Sequence, residues 1–287
     1  MERNSFALIG GDTRQVMLAD LLVADGHRVS TFAIAPPCPD PSPALSTVVA
    51  DANNIILPLP VTRDGDSVHT PLWDGHVSLD ELFSVLRPDQ FVCGGMLSDT
   101  LSHRAKTRGI HLFDYYSREE LVTSGAIATA EGAVQLAMEK TARTLSGSRV
   151  LIIGFGRIGK ILARLLQSFG AQITVTARKP ADFVLIRAAG HTAVHTQELG
   201  CNLANIDIVL NTVPHLVVDA DRLAQLRRDV LCIDLASPPG GIDFAAAKKL
   251  GISTIHALSL PGKVAPLSFA TALRDTIYQM LKEEISK

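Results

Sequence analysis

An apolar run that leads into a glycine-rich turn constrains this chain more than any other feature of its sequence. Residues 150–153 are apolar, and Gly154, Gly156 and Gly159 follow with the spacing Gly-x-Gly-x-x-Gly. Such a run is typical of a parallel strand buried on both faces, and residues 160–169 have the 3.6-residue period of a packed helix. A strand, a glycine turn and a helix in this order predict a dinucleotide-binding site.

The three glycines have different roles in such a turn. Gly154 permits the tight turn, Gly156 lets the backbone approach the pyrophosphate, and Gly159 lets the helix pack close to the strand. Helix N-terminal amides then face the phosphates. The alternative is that the glycines serve only a tight strand-to-helix turn. The expected cofactor contacts here are Gly154, Phe155, Gly156, Arg157, Ile158 and Gly159.

The strand Gln172–Ala177 bears on the choice between NAD and NADP. NAD sites usually place Asp or Glu after this strand, whereas here Arg178 and Lys179 follow Ala177. Two cations suit a 2′-phosphate, so the sequence predicts NADP, with Ala177, Arg178 and Lys179 as contacts. The alternative is a solvated Arg-Lys pair. Asp182 comes too late to replace the missing acid if the strand ends at Ala177.

Further strands are predicted at 206–210, 230–234 and 253–256, with helical stretches between them, which indicates a doubly wound sheet. Ligands bind at the carboxyl edge of such sheets. The residues that follow the strands are therefore expected to contact the cofactor, although ordinary loop chemistry would also explain them. They are Asn211, Thr212, Val213, Pro214, Asp234, Leu235 and Ala236.

The first hundred residues repeat this plan. A strand at 5–9 leads into Gly10-Gly11-Asp12, and residues 16–22 have an apolar helical face. A third glycine is missing at the required spacing, so this turn is interpreted as part of a substrate site. Further strands are predicted at 28–33, 54–57, 90–93 and 110–113.

Two domains are expected, because 287 residues are enough to form two hydrophobic cores. A proline-rich surface loop is predicted at 36–43, a connecting helix at 117–145 and a hinge around 123–129. A final helix after Pro261 and Gly262, which are interpreted as a chain turn, is expected to return to the first domain. The fold class is therefore α/β, with two Rossmann-like domains: 1–125 plus 263–287 for substrate, and 126–262 for NADP.

Composition excludes several classes of protein. The net charge is −2 and the basic residues are scattered, so no nucleic-acid partner is expected. No apolar run approaches the ~20 residues that span a bilayer, and a cytoplasmic protein without a membrane partner is expected. Four cysteines, Cys38, Cys93, Cys201 and Cys232, lack CxxC spacing and are interpreted as core residues. No metal site is expected at His191 and His195.

Motifs over nearly the whole chain form a recognisable set. The most specific is the run Asp-Leu-Ala-Ser-Pro-Pro-Gly-Gly-Ile-Asp at 234–243. The others are Gly10-Gly11-Asp12, the Gly154 turn with Ala177 and Arg178, and residues 115–120, 129–132, 211–214 and 260–266. Together they resemble the dipicolinate synthase A chain family, whose members act in endospore formation.

The resemblance implies oxidation of dihydrodipicolinate by NADP, in the cytoplasm of the mother cell. It also implies a small dicarboxylate substrate, with a flavoprotein-like protein as the second subunit of the synthase. The chain is expected to be a homo-oligomer as well. Arg14, Arg118 and Lys263 are candidates to hold the carboxylates, or are ordinary solvated side chains. His256 is a candidate proton acceptor or a capping histidine. The other candidate residues are Gly11, Asp12, Pro261 and Gly262 for substrate binding, and Thr129, Glu131 and Ser259 for catalysis.

Two other functions stay open. One is a 2-hydroxyacid or amino-acid dehydrogenase on the same architecture. Families that resemble the hydroxyacid type place Arg just beyond the strand that ends at Asp234, where this chain has Ala236 and Ser237. The other is a non-catalytic module that senses NADP and binds a protein partner.

Overall fold

The computed structural model describes residues 4–34, 44–200 and 203–286. The chain divides into two compact units, named here unit 1 (Met1–Gly125 and Ala265–Lys287) and unit 2 (Ala126–Val264). The later boundary lies two residues beyond the predicted one. The predicted loop at 36–43, with Cys38, and Cys201 lie outside the described residues. Cys93 and Cys232 are buried free thiols.

The described helices, in chain order, are α1 (Thr13–Ala24), α2 (Leu45–Ala50), α3 (Leu79–Val85), α4 (Asp99–Lys106), α5 (Glu119–Lys140), α6 (Arg157–Ser168), α7 (Pro180–Ala188), α8 (Ala220–Gln225), α9 (Phe244–Leu250), α10 (Leu260–Val264) and α11 (Pro266–Ile285).

Unit 1 is built on a five-stranded parallel sheet. Its strands are β1 (Ser5–Ile9), β2 (Arg28–Phe32), β3 (Asn54–Ile56), β4 (Phe91–Gly94) and β5 (Leu112–Asp114). Their order in the sheet is β2-β1-β3-β4-β5. The order of connection reverses between β1 and β3, and ligands bind at the carboxyl edge beside such a switch point.

Helix α11 completes unit 1, as predicted. Phe269, Leu273 and Ile277 recur every four residues, so they lie on one helix face, and all three are buried. They pack in one core with Leu18 and Leu22 of α1 and with residues of β1. The prediction that Pro261 and Gly262 form a chain turn is wrong, because the structure has them inside α10.

Unit 2 has the six-stranded parallel sheet of a doubly wound nucleotide fold. Its strands are β6 (Arg149–Ile153), β7 (Gln172–Ala177), β8 (Thr192–His195), β9 (Ile208–Asn211), β10 (Leu231–Asp234) and β11 (Ser253–His256). The order is β11-β10-β9-β6-β7-β8, with the switch point between β6 and β9. The Gly154 turn therefore leaves the sheet where such folds bind dinucleotides.

Helix α5 is shorter than the predicted helix at 117–145. Residues 115–117 form a short 3-10 turn, in which the Tyr116 amide donates to Asp114 Oδ1 at 2.7 Å. The helix then runs to Lys140 and includes the predicted hinge residues 123–129.

Candidate functional site

The glycine turn after β6 has the geometry that its sequence predicts. Gly154 has φ of +96°, and a Cβ there would lie 2.5 Å from Thr212 Oγ1. A Cβ on Gly159 would lie 2.1 Å from the Gly154 carbonyl oxygen, so only glycine allows α6 to pack this closely on the turn. At Gly156, by contrast, a Cβ would meet no described atom within 4 Å. The turn is crowded on its inner side and open at Gly156.

The first turn of α6 leaves its amides available to an anion. Gly156 is the N-cap residue and supplies no side-chain cap. Phe155 and Ile158 pack against the core of unit 2, while Arg157 is exposed. Lys160 Nζ lies 5.4 Å from the centre of the Phe155 ring. An uncapped helix N-terminus carries positive partial charge, which suits the phosphates of a dinucleotide.

The tip of β7 is basic. Arg178 and Lys179 are exposed, whereas Ala177 is buried at the strand end. Asp182 lies in the first turn of α7, and its amide donates to the Lys179 carbonyl at 3.0 Å. His195 ends β8 directly beside Ala177. The residues that follow β7 therefore present cations where NAD sites usually present an acid.

Asp234 organises the loops that follow β9 and β10. Its carboxylate accepts hydrogen bonds from Asn211 Nδ2 at 2.7 Å and from the amides of Ala236, Gly241 and Ile242 at 3.0, 2.7 and 3.2 Å. Asp234 and Asn211 are both 0% exposed. Their side chains are enclosed in this network, and the prediction that the two residues contact the cofactor stays a prediction.

Gly240 and Gly241 make the network possible, and the sequence analysis did not single them out as site residues. Gly240 has φ of +84°, and a Cβ there would lie 2.6 Å from Asp234 Oδ2. A Cβ on Gly241 would lie 2.5 Å from Asn211 Nδ2. The signal was present in the Pro-Pro-Gly-Gly run, since consecutive glycines after a strand indicate close backbone approach.

The other predicted contacts at this edge differ in exposure. The Thr212 hydroxyl donates to the Ile153 carbonyl at 2.8 Å and so fastens the loop to β6. Val213 is half-buried and Pro214 is exposed, whereas Leu235 is buried. Ala236 is also buried, so Pro214 is the exposed residue of this group.

The His256 ring makes one of its two possible ring-nitrogen hydrogen bonds within the protein. Its Nε2 lies 2.9 Å from the Ala236 carbonyl oxygen, and its ring stacks on Phe244 with centroids 5.2 Å apart. A carbonyl only accepts, so Nε2 carries the proton in this contact. The capping interpretation thus accounts for one ring nitrogen. Ser259 is exposed with φ of +58°, a strained conformation for a residue other than glycine.

The remaining candidates of unit 2 lie on α5 and α10. Glu131 is exposed on α5, and Thr129 is half-buried and engaged in an interaction of its own. Pro261 and Gly262 are half-buried in α10, and Lys263 is exposed there. Lys263 is therefore accessible to a solute.

In unit 1 the candidates Asp12 and Arg14 bind each other. Arg14 Nη2 lies 2.7 Å from Asp12 Oδ2 and 2.8 Å from the Leu59 carbonyl oxygen, and its guanidinium lies 5.0 Å from the centre of the Phe269 ring. Arg14 is only 8% exposed. Gly11 is buried with φ of +106°. Arg14 thus already has a carboxylate partner in Asp12, and its role in holding a substrate carboxylate stays a prediction.

Arg118 is likewise engaged within the protein. Its Nη1 and Nη2 lie 2.7 and 3.0 Å from the two carboxylate oxygens of Glu283, and its Nε lies 2.8 Å from Glu120. These contacts join the start of α5 to the end of α11. Its expected role in substrate binding stays a prediction, as does that of Arg14.

The described part of the chain has no cluster of metal ligands and no membrane-spanning helix. No group of three or more His, Cys, Asp or Glu side chains there could hold a metal ion. His191 and His195 belong to no such group. None of the described helices is long and apolar enough to span a bilayer.

Comparison with known proteins agrees with this geometry. Residues 5–116 match the model of the N-terminal domain of the dipicolinate synthase A chain. Residues 117–238 match the model of the D-isomer specific 2-hydroxyacid dehydrogenase, NAD binding domain. The second match contains the Gly154 turn and the basic tip of β7. It supports a nicotinamide cofactor and an oxidoreductase role, without distinguishing NADP from NAD.

Relatives of known name and structure match this chain over nearly its whole length. The dipicolinate synthase A chain of Bacillus subtilis (strain 168) is 31% identical, over 96% of this chain and 95% of the relative. The crystal structure of the dipicolinate synthase A chain from Bacillus subtilis has a TM-score of 0.87 and covers 100% of this chain and 99% of that one, at 28% identity. The crystal structure of the same protein from Bacillus halodurans has a TM-score of 0.86, with 97% of each chain covered and 28% identity. The chain belongs to the dipicolinate synthase A chain family.

Proposed function

We propose that this chain is an NADP-dependent oxidoreductase that oxidises dihydrodipicolinate to dipicolinate, as one subunit of a two-subunit synthase. The observation that carries the proposal is the open glycine turn at Gly156, followed by cations at the tip of β7, in a chain of this family. The proposed setting is the mother-cell cytoplasm of a sporulating bacterium. The proposed partner is a flavoprotein-like second subunit. The chain itself is proposed to be a homo-oligomer.

The residues around the turn fit a dinucleotide. The uncapped N-terminus of α6 would hold the pyrophosphate, and Arg178 and Lys179 would hold the 2′-phosphate. The bound nicotinamide would supply a two-electron hydride acceptor. The network around Asp234 fixes the loops that border this edge, so they need no reordering when a ligand binds.

The chain's own contribution to the chemistry would be orientation and proton transfer. Oxidation of the dihydropyridine ring removes a hydride and a proton and makes the ring aromatic, which supplies the driving force. A base therefore has to receive the proton. We retain His256, Glu131, Thr129 and Ser259 as candidates for groups near the reacting ring; the contact of His256 Nε2 with Ala236 leaves Nδ1 as the ring atom that could accept.

Hydride transfer measured on the full chain tests the proposal. We expect NADPH to accumulate when dihydrodipicolinate is added with NADP, with a larger rate when the second subunit is present. A chain that binds NADP but produces no NADPH, with or without that subunit, would favour the non-catalytic sensing function. NADPH production from 2-hydroxyacids instead would favour the dehydrogenase alternative.

A further inference from the structure

Residues 61–77 of unit 1 form a cap over the carboxyl edge of its sheet. The Gly11 amide donates to the His69 carbonyl at 2.9 Å, and the His69 amide donates to the Val61 carbonyl at 2.8 Å. The segment follows β3 and closes over the turn that follows β1. These two strands flank the switch point of the sheet, which is where open α/β sheets bind ligands.

This cap holds a cavity of about 270 Å³. Sites for drug-sized ligands measure roughly 300–1,000 Å³, so the cavity suits a small organic acid or part of one. Six of the nine residues that line it are polar, and three of these have basic side chains. The polar lining residues are Arg63, Asp64, Ser67, His69, Thr70 and His76.

Arg63 differs from the two arginines of unit 1 that the sequence analysis assigned to the substrate. Arg14 pairs with Asp12, and Arg118 pairs with Glu283. Arg63 is exposed and makes no ion pair or hydrogen bond with any other residue in the described ranges. Its guanidinium can therefore bind a carboxylate through two parallel hydrogen bonds without breaking an existing pair.

Asp64 lines the same cavity, but its carboxylate is engaged in the turn. Oδ1 accepts from the Thr62 hydroxyl and from the amides of Asp66 and Ser67 at 2.8–2.9 Å, and Oδ2 accepts from the Ser67 hydroxyl. These hydrogen bonds, that of the Ser67 hydroxyl first, hold the pKa of Asp64 well below its usual range. Its charge is thus spread over local donors and is not paired with Arg63.

His69 supplies a second polar group to the cavity. Its Nδ1 is buried and has no hydrogen-bond partner in the described protein. Burial first, and then the charge of Arg63, lowers the pKa of His69 from 6.5, although Asp12 opposes this. The ring is therefore neutral at pH 7 and has one N–H to donate. The ring lines the cavity, so its N–H can be donated to a ligand there.

We propose that Arg63 and His69 form a carboxylate-binding subsite of unit 1, which holds one carboxylate of a small dicarboxylic acid. The proposal rests on the function proposed above and deepens it, because it assigns the substrate's charge to residues 61–77 instead of Arg14 and Arg118. Arg63 supplies the charge and the paired donors. The His69 ring supplies the third donor, and the cavity walls limit the size of the acid.

Binding of pyridine-2,6-dicarboxylate to the full chain tests the subsite. Calorimetric titration would compare the unaltered chain with Arg63→Gln, which keeps much of the length of the side chain but removes its charge. Arg87→Gln is the matched control, because Arg87 is also an arginine of unit 1 with an accessible side chain and lies outside the cavity lining. We expect Arg63→Gln to weaken dicarboxylate binding about 10- to 100-fold and to leave NADP binding unchanged. The control should change neither.

A second readout does not depend on the Arg63 variant. The imidazole proton signals of His69, assigned by their loss in His69→Asn, should shift when pyridine-2,6-dicarboxylate is added and stay in place with the neutral pyridine-2,6-dicarboxamide. Where the dicarboxylate binds the unaltered chain, unshifted His69 signals, or equal dicarboxylate affinity in Arg63→Gln and the unaltered chain, would overturn the subsite.

Malonate as a second probe separates failure of the subsite from failure of the proposed function. If the chain binds malonate in an Arg63-dependent way but not pyridine-2,6-dicarboxylate, the subsite stands and the dipicolinate reaction fails. Dicarboxylate binding that does not depend on Arg63 would be compatible with the proposed reaction and would refute the subsite. Binding of neither acid would also refute the subsite.

Discussion

The two units share one structural element, a glycine turn that leads from a strand into a helix, but they cap the helix differently. In each, the first strand of the sheet leads through glycines into a 12-residue helix, α1 in unit 1 and α6 in unit 2. In unit 1, Asp12 caps α1 by accepting from the Arg14 amide at 3.0 Å, and its carboxylate also holds the Arg14 side chain. In unit 2, the N-cap of α6 is Gly156, which has no side chain.

The space around the two turns differs accordingly. A Cβ on Gly11 would lie 2.2 Å from the Gln15 side chain, whereas one on Gly156 would meet no described atom within 4 Å. A helix N-terminus favours an anion. Unit 1 satisfies α1 with a carboxylate of its own, whereas α6 of unit 2 has no side-chain cap, and we propose that a phosphate of the ligand takes that place. On this proposal, a glycine-containing turn binds a nucleotide only where the chain does not supply the anion itself.

The largest expected effect comes from filling the open turn. Gly156→Val should abolish NADP binding and leave the chain folded, because the added side chain enters open space that the pyrophosphate requires. Gly200→Val is the matched control, since a Cβ on Gly200 also meets no described atom within 4 Å. Fluorescence titration with NADPH and circular dichroism measure the two properties. Normal binding by Gly156→Val would mean that α6 does not face the phosphates.

A substitution at the capped turn before α1 should lower the stability of the fold instead of weakening ligand binding. Asp12→Ala removes the cap of α1 and leaves the buried Arg14 without its partner, so the free energy of unfolding should fall by about 2–4 kcal/mol. Asp219→Ala is the control, because Asp219 caps α8 and pairs with Arg222 at a more exposed position. A fall of about 1 kcal/mol is expected there. Urea unfolding measures both; equal losses would refute the special role of the Asp12 pair.

The cofactor preference tests the basic tip of β7. NADP should bind more tightly than NAD, and Arg178→Asp should reverse the order, since each charge-assisted hydrogen bond lost costs about 1.5–3 kcal/mol. Arg164→Asp changes an exposed arginine elsewhere in unit 2 and should keep the preference. Titrations with both nucleotides decide the matter, and equal affinities in the unaltered chain would contradict the prediction.

The smallest effect is the pH dependence of the capped turn. Burial raises the pKa of Asp12, but the hydrogen bonds and charge of Arg14 outweigh this and the net pKa lies below its usual 3.8. Stability from this ionised group is therefore present above pH 3.8 and lost as the pH falls below it. The unaltered chain and Asp12→Asn should converge in free energy of unfolding on acidification. A difference that stays constant as the pH falls from neutrality to well below that value would contradict this.

Much of the fold could be predicted because its central strands are buried on both faces. The bounds of β1, β7 and β11 agree with the sequence prediction, and β6 begins one residue before the predicted apolar run. Strands β8 and β11 are both edge strands whose residues are exposed or half-buried and lack an apolar run; β11 was predicted and β8 was missed. The cap at 61–77 was missed because it is held by scattered backbone hydrogen bonds, which leave no periodic pattern in a sequence.

Site residues could be predicted where the sequence fixes the local backbone conformation. They could not be predicted where their role depends on hydrogen bonds between side chains and distant parts of the chain. Spacing alone indicated Gly154, Gly156 and Gly159. The burial of Asp234 within amides from a loop seven residues away could not be inferred from one sequence. The Asp12–Arg14 pair did have a signal, because Asp just before a helix is a typical N-cap, but the helix was predicted to begin at 16 instead of Thr13.

Amide hydrogen exchange of the full chain, with and without NADP, tests the contrast between the two turns most directly. NADP should slow exchange at residues 154–160, where the ligand supplies the anion to α6, and leave residues 10–16 unchanged, because Asp12 already occupies that position at α1. Protection at 10–16, or none at 154–160 under saturating NADP, would contradict the assignment of the dinucleotide to the uncapped helix.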